Sequence, residues 1–287
     1  MPIEKKVILS VEDLTLQLLE TKTNIEYGSF DIEADDFVII KGNNGSGKST
    51  FLKIFAPTKM TGYCGYVRGK MFYRDAGLEN SDMFSRGYDR PKLLRRVVNV
   101  TQEERFSSFA SAWGAILEPT VVAVKEDSSI PAAKKKKMIA HAKELAKYYY
   151  EDVLRASGSF TAGPLAFRYK KATQFSGGQQ KMLNLISGLI KAEVIGAKLI
   201  LMDEPLNNLD AKNKAIFSAI IAKLRRRRRE EGDPIAIMAI THCQIFEGIN
   251  KVITITPNPE RRVNKVLCER KLEPYHAECL EDFKITI

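Results

Sequence analysis

Residues 42–50 read Gly42-Asn43-Asn44-Gly45-Ser46-Gly47-Lys48-Ser49-Thr50 and follow directly on the apolar run Phe37-Val38-Ile39-Ile40. Glycines at 42, 45 and 47 let the backbone take positive φ and approach an anion closely. The N–H groups of this loop, those of Asn43, Asn44 and Ser46 included, can then line a cradle around phosphate oxygens. Lys48 is placed to reach β- and γ-phosphates, the Ser49 hydroxyl to ligate Mg²⁺, and Thr50 to donate to an α-phosphate, with the following helix adding its positive end. A glycine-rich turn with an accidental lysine is the bland alternative. The strand before the loop and the helix-compatible segment from Ser49 to Phe55 supply the context the motif requires, so nucleoside triphosphate binding is the reading.

At 287 residues and 44% hydrophobic content, the chain suits one large α/β domain or a domain with a subdomain insert. No stretch reaches the length of apolar sequence needed to span a bilayer, and Met1-Pro2-Ile3-Glu4-Lys5-Lys6 lacks a signal-peptide core, so a cytoplasmic location is expected. Cys64, Cys243, Cys268 and Cys279 form no CxxC pair and read as reduced thiols; Cys268, His276 and Cys279 lack a fourth ligand at zinc-finger spacing. The net charge of +10 includes two dense runs, Lys134 to Lys137 and Arg225 to Arg229. Such runs suit nucleic acid, anionic headgroups or an acidic partner, and solvated helix ends explain them equally well.

Short apolar-polar alternations between residues 7 and 40 predict antiparallel strands leading to the loop strand, and residues 62–75 suggest a further hairpin. Met138, Ala142, Leu145, Tyr149, Val153 and Ala156 recur at helical spacing, giving an amphipathic helix from about Ala132 to Ala156. A mainly helical block over 107–172 thus sits between two phosphate-related segments. A second helix runs from Gly178 to about Ala192, and Leu199-Ile200-Leu201-Met202 reads as a strand buried on both faces. Asp210 can cap a helix with Ile216, Phe217, Ile220, Ile221 and Leu224 as its apolar stripe, and Ile235 to Ile240 is another buried strand. The expected fold is α/β with a mostly parallel central sheet.

Asp203 and Glu204 emerge where a buried strand ends, which in an open parallel sheet is the side of the ligand crevice. Asp203 is a candidate Mg²⁺ carboxylate and Glu204 a candidate for polarising the attacking water; an acidic strand end capping a turn is the bland alternative. Phe175-Ser176-Gly177-Gly178-Gln179 opens a helix with a hydroxyl and free N–H groups aimed at an anion.

In order along the chain stand the phosphate loop, Thr101-Gln102-Glu103, Phe175-Ser176-Gly177-Gly178-Gln179, Leu199 to Pro205, Leu209-Asp210 and Thr241-His242. Together, over about residues 5–256, they resemble an ATP-binding cassette (ABC) ATPase. The resemblance implies a P-loop NTPase fold of one ABC domain. Its nucleotide-binding core, with an N-terminal antiparallel β subdomain, is expected over 1–106 and 173–287, and a helical subdomain over 107–172. It implies ATP and Mg²⁺ as ligands, with Lys48, Ser49 and Thr50 on phosphate and metal. Gln102 then matches the sensor of Mg²⁺ and γ-phosphate, Asp203 the metal carboxylate, Glu204 the catalytic base, and His242 the switch histidine on the γ-phosphate. Ser176, Gly177, Gly178 and Gln179 match a signature that closes over the nucleotide of a second subunit, and Asp210 matches the inter-subunit loop aspartate. The working unit implied is a head-to-tail dimer, with a homodimer the first expectation.

Two departures stand out. The stretch Leu16-Gln17-Leu18-Leu19-Glu20 lacks the aromatic that usually stacks on adenine, with Tyr27 the nearest substitute, and Lys181-Met182-Leu183-Asn184 replaces the usual continuation of the signature helix. Two functions stay open at this point. One is the ATP-binding subunit of a transporter, docked on a separate transmembrane protein and peripheral at the inner face of a membrane. The other is a soluble ABC ATPase acting on nucleic acid or a protein complex, which the basic runs and the Asn207-Asn208-Leu209-Asp210 loop, more similar to that of soluble ABC proteins, motivate.

Overall fold

The computed structural model describes residues 6–55, 64–75, 77–101, 110–161, 163–241, 245–258 and 263–270. Nine strands form one sheet: β1 Val7–Leu18, β2 Asn24–Glu33, β3 Phe37–Gly42, β4 Cys64–Tyr73, β5 Val97–Val100, β6 Leu199–Asp203, β7 Ala236–Ile240, β8 Lys251–Asn258 and β9 Val263–Arg270. Their order across the sheet is β4-β1-β2-β9-β8-β3-β7-β6-β5. The run β8-β3-β7-β6-β5 is parallel throughout, whereas β4-β1-β2 is antiparallel. The expected α/β sheet is present, and its antiparallel N-terminal part joins the parallel part through β9, which pairs parallel with β2 and antiparallel with β8.

The parallel strands β3, β6 and β7 carry continuous apolar runs, Phe37–Ile40, Leu199–Met202 and Ala236–Ile240, because both faces are covered. In β3, Phe37 and Ile39 face one core while Val38 and Ile40 face the other, and β6 and β7 divide their side chains in the same alternating way. One core packs the sheet against the longer helices, α3 Ala112–Glu126, α4 Ala132–Tyr148, α6 Gly177–Ile195 and α7 Ala211–Glu230, together with the short α5 Pro164–Tyr169. The other core lies between the antiparallel strands and α1 Lys48–Lys53, centred on Phe51, which packs against both Tyr27 and Phe30.

Three sequence expectations change here. Residues 64–73 form the single strand β4, which pairs antiparallel with the edge of β1 that β2 leaves open; within the described part of 62–75 no hairpin forms. The helix expected to Ala156 is α-helical to Tyr148 and continues as a π-helical turn over Tyr149–Arg155. The register change lets Tyr149 and Tyr150 both be buried, the former donating its hydroxyl to Glu193 Oε1 on α6 at 2.6 Å.

The third change concerns the arginine run. Placed on the last turns of α7, it reaches carbonyls and carboxylates of four neighbouring segments, at Asp35, Glu193 to Ala197, Asp233 and Gly248. Arg225 is buried, stacks on Phe37 at 5.1 Å and donates to the carbonyls of Asp35 (2.8 Å) and Gly248 (3.2 Å). Arg228, also buried, donates to Ala197 O and to both the carbonyl and the carboxylate of Asp233. Arg227 pairs with Glu193 and Arg229 with Asp35. Four arginines of the run are thus committed within the molecule, and the nucleic-acid contact anticipated from it finds no support. Lys134, Lys136 and Lys137, by contrast, are exposed on α4. Among the described residues no helix is long and apolar enough to cross a membrane.

Candidate active site

Strand register builds the site. Ile240 lies opposite Ile40 on one side and Asp203 on the other, so β3, β7 and β6 end level and the phosphate loop, Thr241 and the two carboxylates share one rim of the sheet. Loop geometry explains its glycines. Gly42 has φ +152° and a Cβ there would stand 2.6 Å from Ile255 O, while Gly47 has φ +99° and a Cβ would stand 2.2 Å from Ile25 Cδ1. The cradle is therefore concave because no side chain can occupy it at these two positions. Its base is fastened by Asn264 Nδ2, which donates to Ser46 O at 2.9 Å.

Lys48 is buried and its ammonium donates to Gly42 O (2.8 Å) and Asn43 O (2.9 Å), which holds the charge over the loop. Ser49 Oγ donates to Asp203 Oδ1 at 3.3 Å. Burial pushes the Asp203 carboxyl above its ordinary range, with the neighbouring Glu204 adding to the rise and the Ser49 hydroxyl and nearby lysines opposing it. One hydroxyl and one carboxylate at this spacing fit Mg²⁺, which takes hard oxygen ligands and keeps water and phosphate for its other positions. Among the described residues no group of three or more His, Cys, Asp or Glu side chains forms a metal cage of its own.

Glu204 follows with φ +48°, a left-handed conformation rare outside glycine, and its N–H donates to Ile240 O at 3.0 Å. That bond anchors the turn to β7. Its carboxylate accepts from Asn207 Nδ2, and Glu204 lines the same cavity, about 420 Å³, as Asn44, Gly45, Gly47, Lys48, Ser49 and Thr50. Lys48, Ser49, Asp203 and Glu204 are thus brought together.

Ser176 to Gln179 stand elsewhere. Ser176 caps α6, accepting from Gln179 N at 3.3 Å, while Gln179 Oε1 accepts from Ser176 N at 3.2 Å and Gln179 Nε2 donates to Ser159 O at 3.0 Å. Ser176 and Gly177 are exposed and do not line the phosphate cavity of their own chain. Gly178 packs beside the Asn207–Asn208 turn, where an added Cβ would lie 3.2 Å from Asn208 O. Asp210 caps α7 by accepting from Asn213 N (2.7 Å) and Asn213 Nδ2 (3.1 Å). Gln102 and His242 lie outside the described residues. Tyr27, the candidate adenine stacker, is buried with its ring 5.0 Å from that of Phe51, so it belongs to the core beneath the loop. Two polar contacts were not legible in the motifs: Asn207 on Glu204, and Asn184 on α6, whose Nδ2 donates to Thr101 O at 3.4 Å at the end of β5.

A glycine-rich loop, a Ser–Asp contact and a strand-end glutamate share one rim of a mixed sheet, the arrangement expected of an ATP-binding cassette ATPase. The family model described as ABC transporter matches residues 25–207, and the chain belongs to that family. It is 27% identical over 276 residues to the macrolide export ATP-binding/permease protein MacB of Neisseria meningitidis serogroup B, a match covering 90% of this chain and 36% of that protein. It is 23% identical over 238 residues to the energy-coupling factor transporter ATP-binding protein EcfA1 of Mycoplasmoides gallisepticum, covering 83% of this chain and 70% of that one. The chain spans about a third of the MacB relatives it matches. Among solved structures, an ATP-binding cassette determined as a dimer in a post-hydrolysis state with ADP and Pi superposes with a TM-score of 0.58 at 19% identity, over 92% of this chain and 98% of that chain. The cbiO1 protein of Clostridium perfringens, part of an ABC transporter complex, gives a TM-score of 0.58 at 21% identity, over 93% and 89% of the two chains.

Proposed function

We propose that this ABC ATPase binds Mg-ATP at the phosphate loop and hydrolyses it at the interface of a head-to-tail dimer. It does so as the ATP-binding subunit of a membrane transporter. The observation that carries the chemistry is the Ser49–Asp203 contact of 3.3 Å at the rim of a cavity that Lys48 and Glu204 also line. Ser49 and Asp203 would hold the Mg²⁺, which would supply charge neutralisation for the nucleotide's phosphates. Lys48 exchanges its two loop carbonyls for phosphate oxygens, a trade of neutral acceptors for charged ones. Glu204, held by Asn207, orients and polarises the attacking water. Gln102 and His242 are the proposed γ-phosphate contacts from the segments after β5 and β7.

The exposure of Ser176 and Gly177 supports the dimer. A helix start with a hydroxyl and unused N–H groups, facing away from its own phosphate loop, suits the nucleotide of a second copy. The packing of Gly178 beside the Asn207–Asn208 turn supports a role for that turn, and for Asp210 just after it, at the same interface. ATP-driven closure and reopening of such a dimer would supply mechanical work to a partner. The relatives' names, which speak of permease and transporter, support a separate membrane-spanning protein as the partner, with this chain peripheral at the inner face of the membrane. With the arginine run committed internally, the alternative of a soluble ATPase on nucleic acid loses one of the two basic runs that motivated it, while Lys134, Lys136 and Lys137 stay exposed.

Purification from native cells with partners intact tests the transporter reading. Stoichiometric recovery of a polytopic membrane protein is expected; recovery of RNA, DNA or a soluble complex in its place would overturn it.

A further inference from the structure

The phosphate loop is also gripped from β9, outside every motif read from the sequence. Strand β9 pairs parallel with β2 over a short stretch, Asn24↔Val263, Ile25↔Asn264 and Glu26↔Lys265, and antiparallel with β8, where Asn264 lies opposite Pro257. Ile25 and Asn264 are thus neighbours on one rung of the sheet, and both reach the loop. Ile25 Cδ1 sits where a Cβ on Gly47 would stand, and Asn264 Nδ2 donates to Ser46 O at 2.9 Å. Asn264 is only 5% exposed, and its rung partner Ile25 belongs to the apolar core. An amide buried there costs desolvation that an aliphatic side chain of similar shape would not, so stability alone does not account for an asparagine at this position.

We propose that Asn264 is a positioning residue of the nucleotide site: by holding the Ser46 carbonyl it turns the Gly47 N–H toward the phosphates. The inference rests on the nucleotide-binding reading above and adds to it a residue from beyond position 207, where the match to the family model ends. A trans peptide is planar, with its carbonyl and the following N–H on opposite sides. The Ser46–Gly47 peptide is trans, so fixing Ser46 O on the β9 side sends the Gly47 N–H to the other. That other side is the cavity: Gly45 and Gly47 line it, whereas Ser46 between them is buried. The Ser46 N–H is committed within the loop, to Asn43 O at 3.2 Å, so the donor turned outward at this point is that of Gly47. Glycine at φ +99° has no Cβ to restrict rotation of the peptide, and without an outside hold the plane can turn and take the donor with it. An N–H on a phosphate oxygen is a charge-assisted bond, stronger than one between neutral groups.

The test compares the wild-type chain with Asn264→Leu, which keeps the shape and removes the donor, with Asn264→Ala, and with Lys48→Ala as a loss-of-binding control. Mg-ATP affinity, KM, kcat and thermal midpoint are measured for each, and the Gly47 amide is followed by ¹⁵N NMR as Mg-ADP is added. Asn264→Leu should melt at or above wild type, while its Kd and KM for Mg-ATP rise about tenfold and kcat at saturation stays within about threefold. Its Gly47 amide should shift less on adding Mg-ADP than that of wild type. Asn264→Ala should show the same rise in KM with a lower midpoint, since it also leaves a cavity. A wild-type Kd and Gly47 shift in Asn264→Leu, or losses in both variants that merely follow the fraction unfolded, would overturn the proposal and leave the nucleotide site in place. Should wild type bind Mg-ATP no better than Lys48→Ala, the nucleotide reading itself would fall, and this proposal with it.

Discussion

Asn207 donates its side-chain amide to the Glu204 carboxylate from three residues further along the same turn. Glu204 itself sits in a left-handed conformation, φ +48°, fastened to Ile240 O. The base candidate is therefore aimed by backbone on one side and by an amide on the other. Replacing Asn207 by alanine removes one hold on the carboxylate without touching the phosphate cradle. The expected result is a fall in kcat of about tenfold with nucleotide affinity unchanged, since positioned general bases contribute about a hundredfold or more. Equal losses in kcat and in binding, measured by turnover and nucleotide titration, would mean that Asn207 only supports the loop.

Gly47→Ala should damage the cradle in two ways. The backbone at φ +99° disfavours any Cβ, and that Cβ would stand 2.2 Å from Ile25 Cδ1. Strain in this region costs about 1–3 kcal/mol before the steric clash is counted. Thermal melts and nucleotide titration should both show a loss. Adding Ile25→Ala should recover part of it, because that change relieves the clash and leaves the φ penalty; no recovery would place the whole cost in the backbone.

Arg225→Ala should destabilise the fold by about 2–4 kcal/mol, because it leaves the carbonyls of Asp35 and Gly248 without their donor and removes the contact on Phe37. Lys136→Ala, on the exposed part of α4, should stay within about 0.5 kcal/mol. Denaturant midpoints decide between them, and equal midpoints would show that the arginine run is not the internal clamp described here.

The carboxyl of Asp203 is raised by burial. In the metal-free protein this makes folding lose stability as pH rises from the ordinary carboxylate range through the raised folded value, since the unfolded chain ionises first. Asp203→Asn removes that penalty. With chelator present, the variant should melt higher than wild type at neutral pH and show no such advantage at pH below the ordinary carboxylate range, while losing Mg-dependent hydrolysis. A variant that melts lower at neutral pH would contradict the burial argument.

Much of this was readable in the sequence, and the reason is physical. Phe37 to Ile40, Leu199 to Met202 and Ile235 to Ile240 are continuous apolar runs because their strands are covered on both faces, and the loop glycines announce themselves because their φ values and close approaches admit nothing larger. Less legible were features that depend on where helices end in space. The arginines of α7 look like a solvated or partner-seeking cluster, and only the approach of the turn at Asp35, the carbonyl of Gly248 and the acid Glu193 commits them to the interior. Asn207 gave no signal beyond being a turn residue, and Tyr27 looked available for stacking because burial beneath the phosphate loop is a tertiary fact. In β4 the glycine at 69, which in sequence resembles a turn, marks a close approach to the backbone of Asp13 and Leu14 within a single strand.

The most direct measurement is the oligomeric state of Glu204→Gln with and without Mg-ATP, read by sedimentation alongside phosphate release. The account predicts a monomer that becomes a long-lived dimer on adding Mg-ATP, with turnover reduced at least a hundredfold, and loss of that dimer when Ser176 is also replaced by a bulky residue. Undiminished phosphate release by Glu204→Gln, or a monomer that persists at saturating nucleotide, would contradict it.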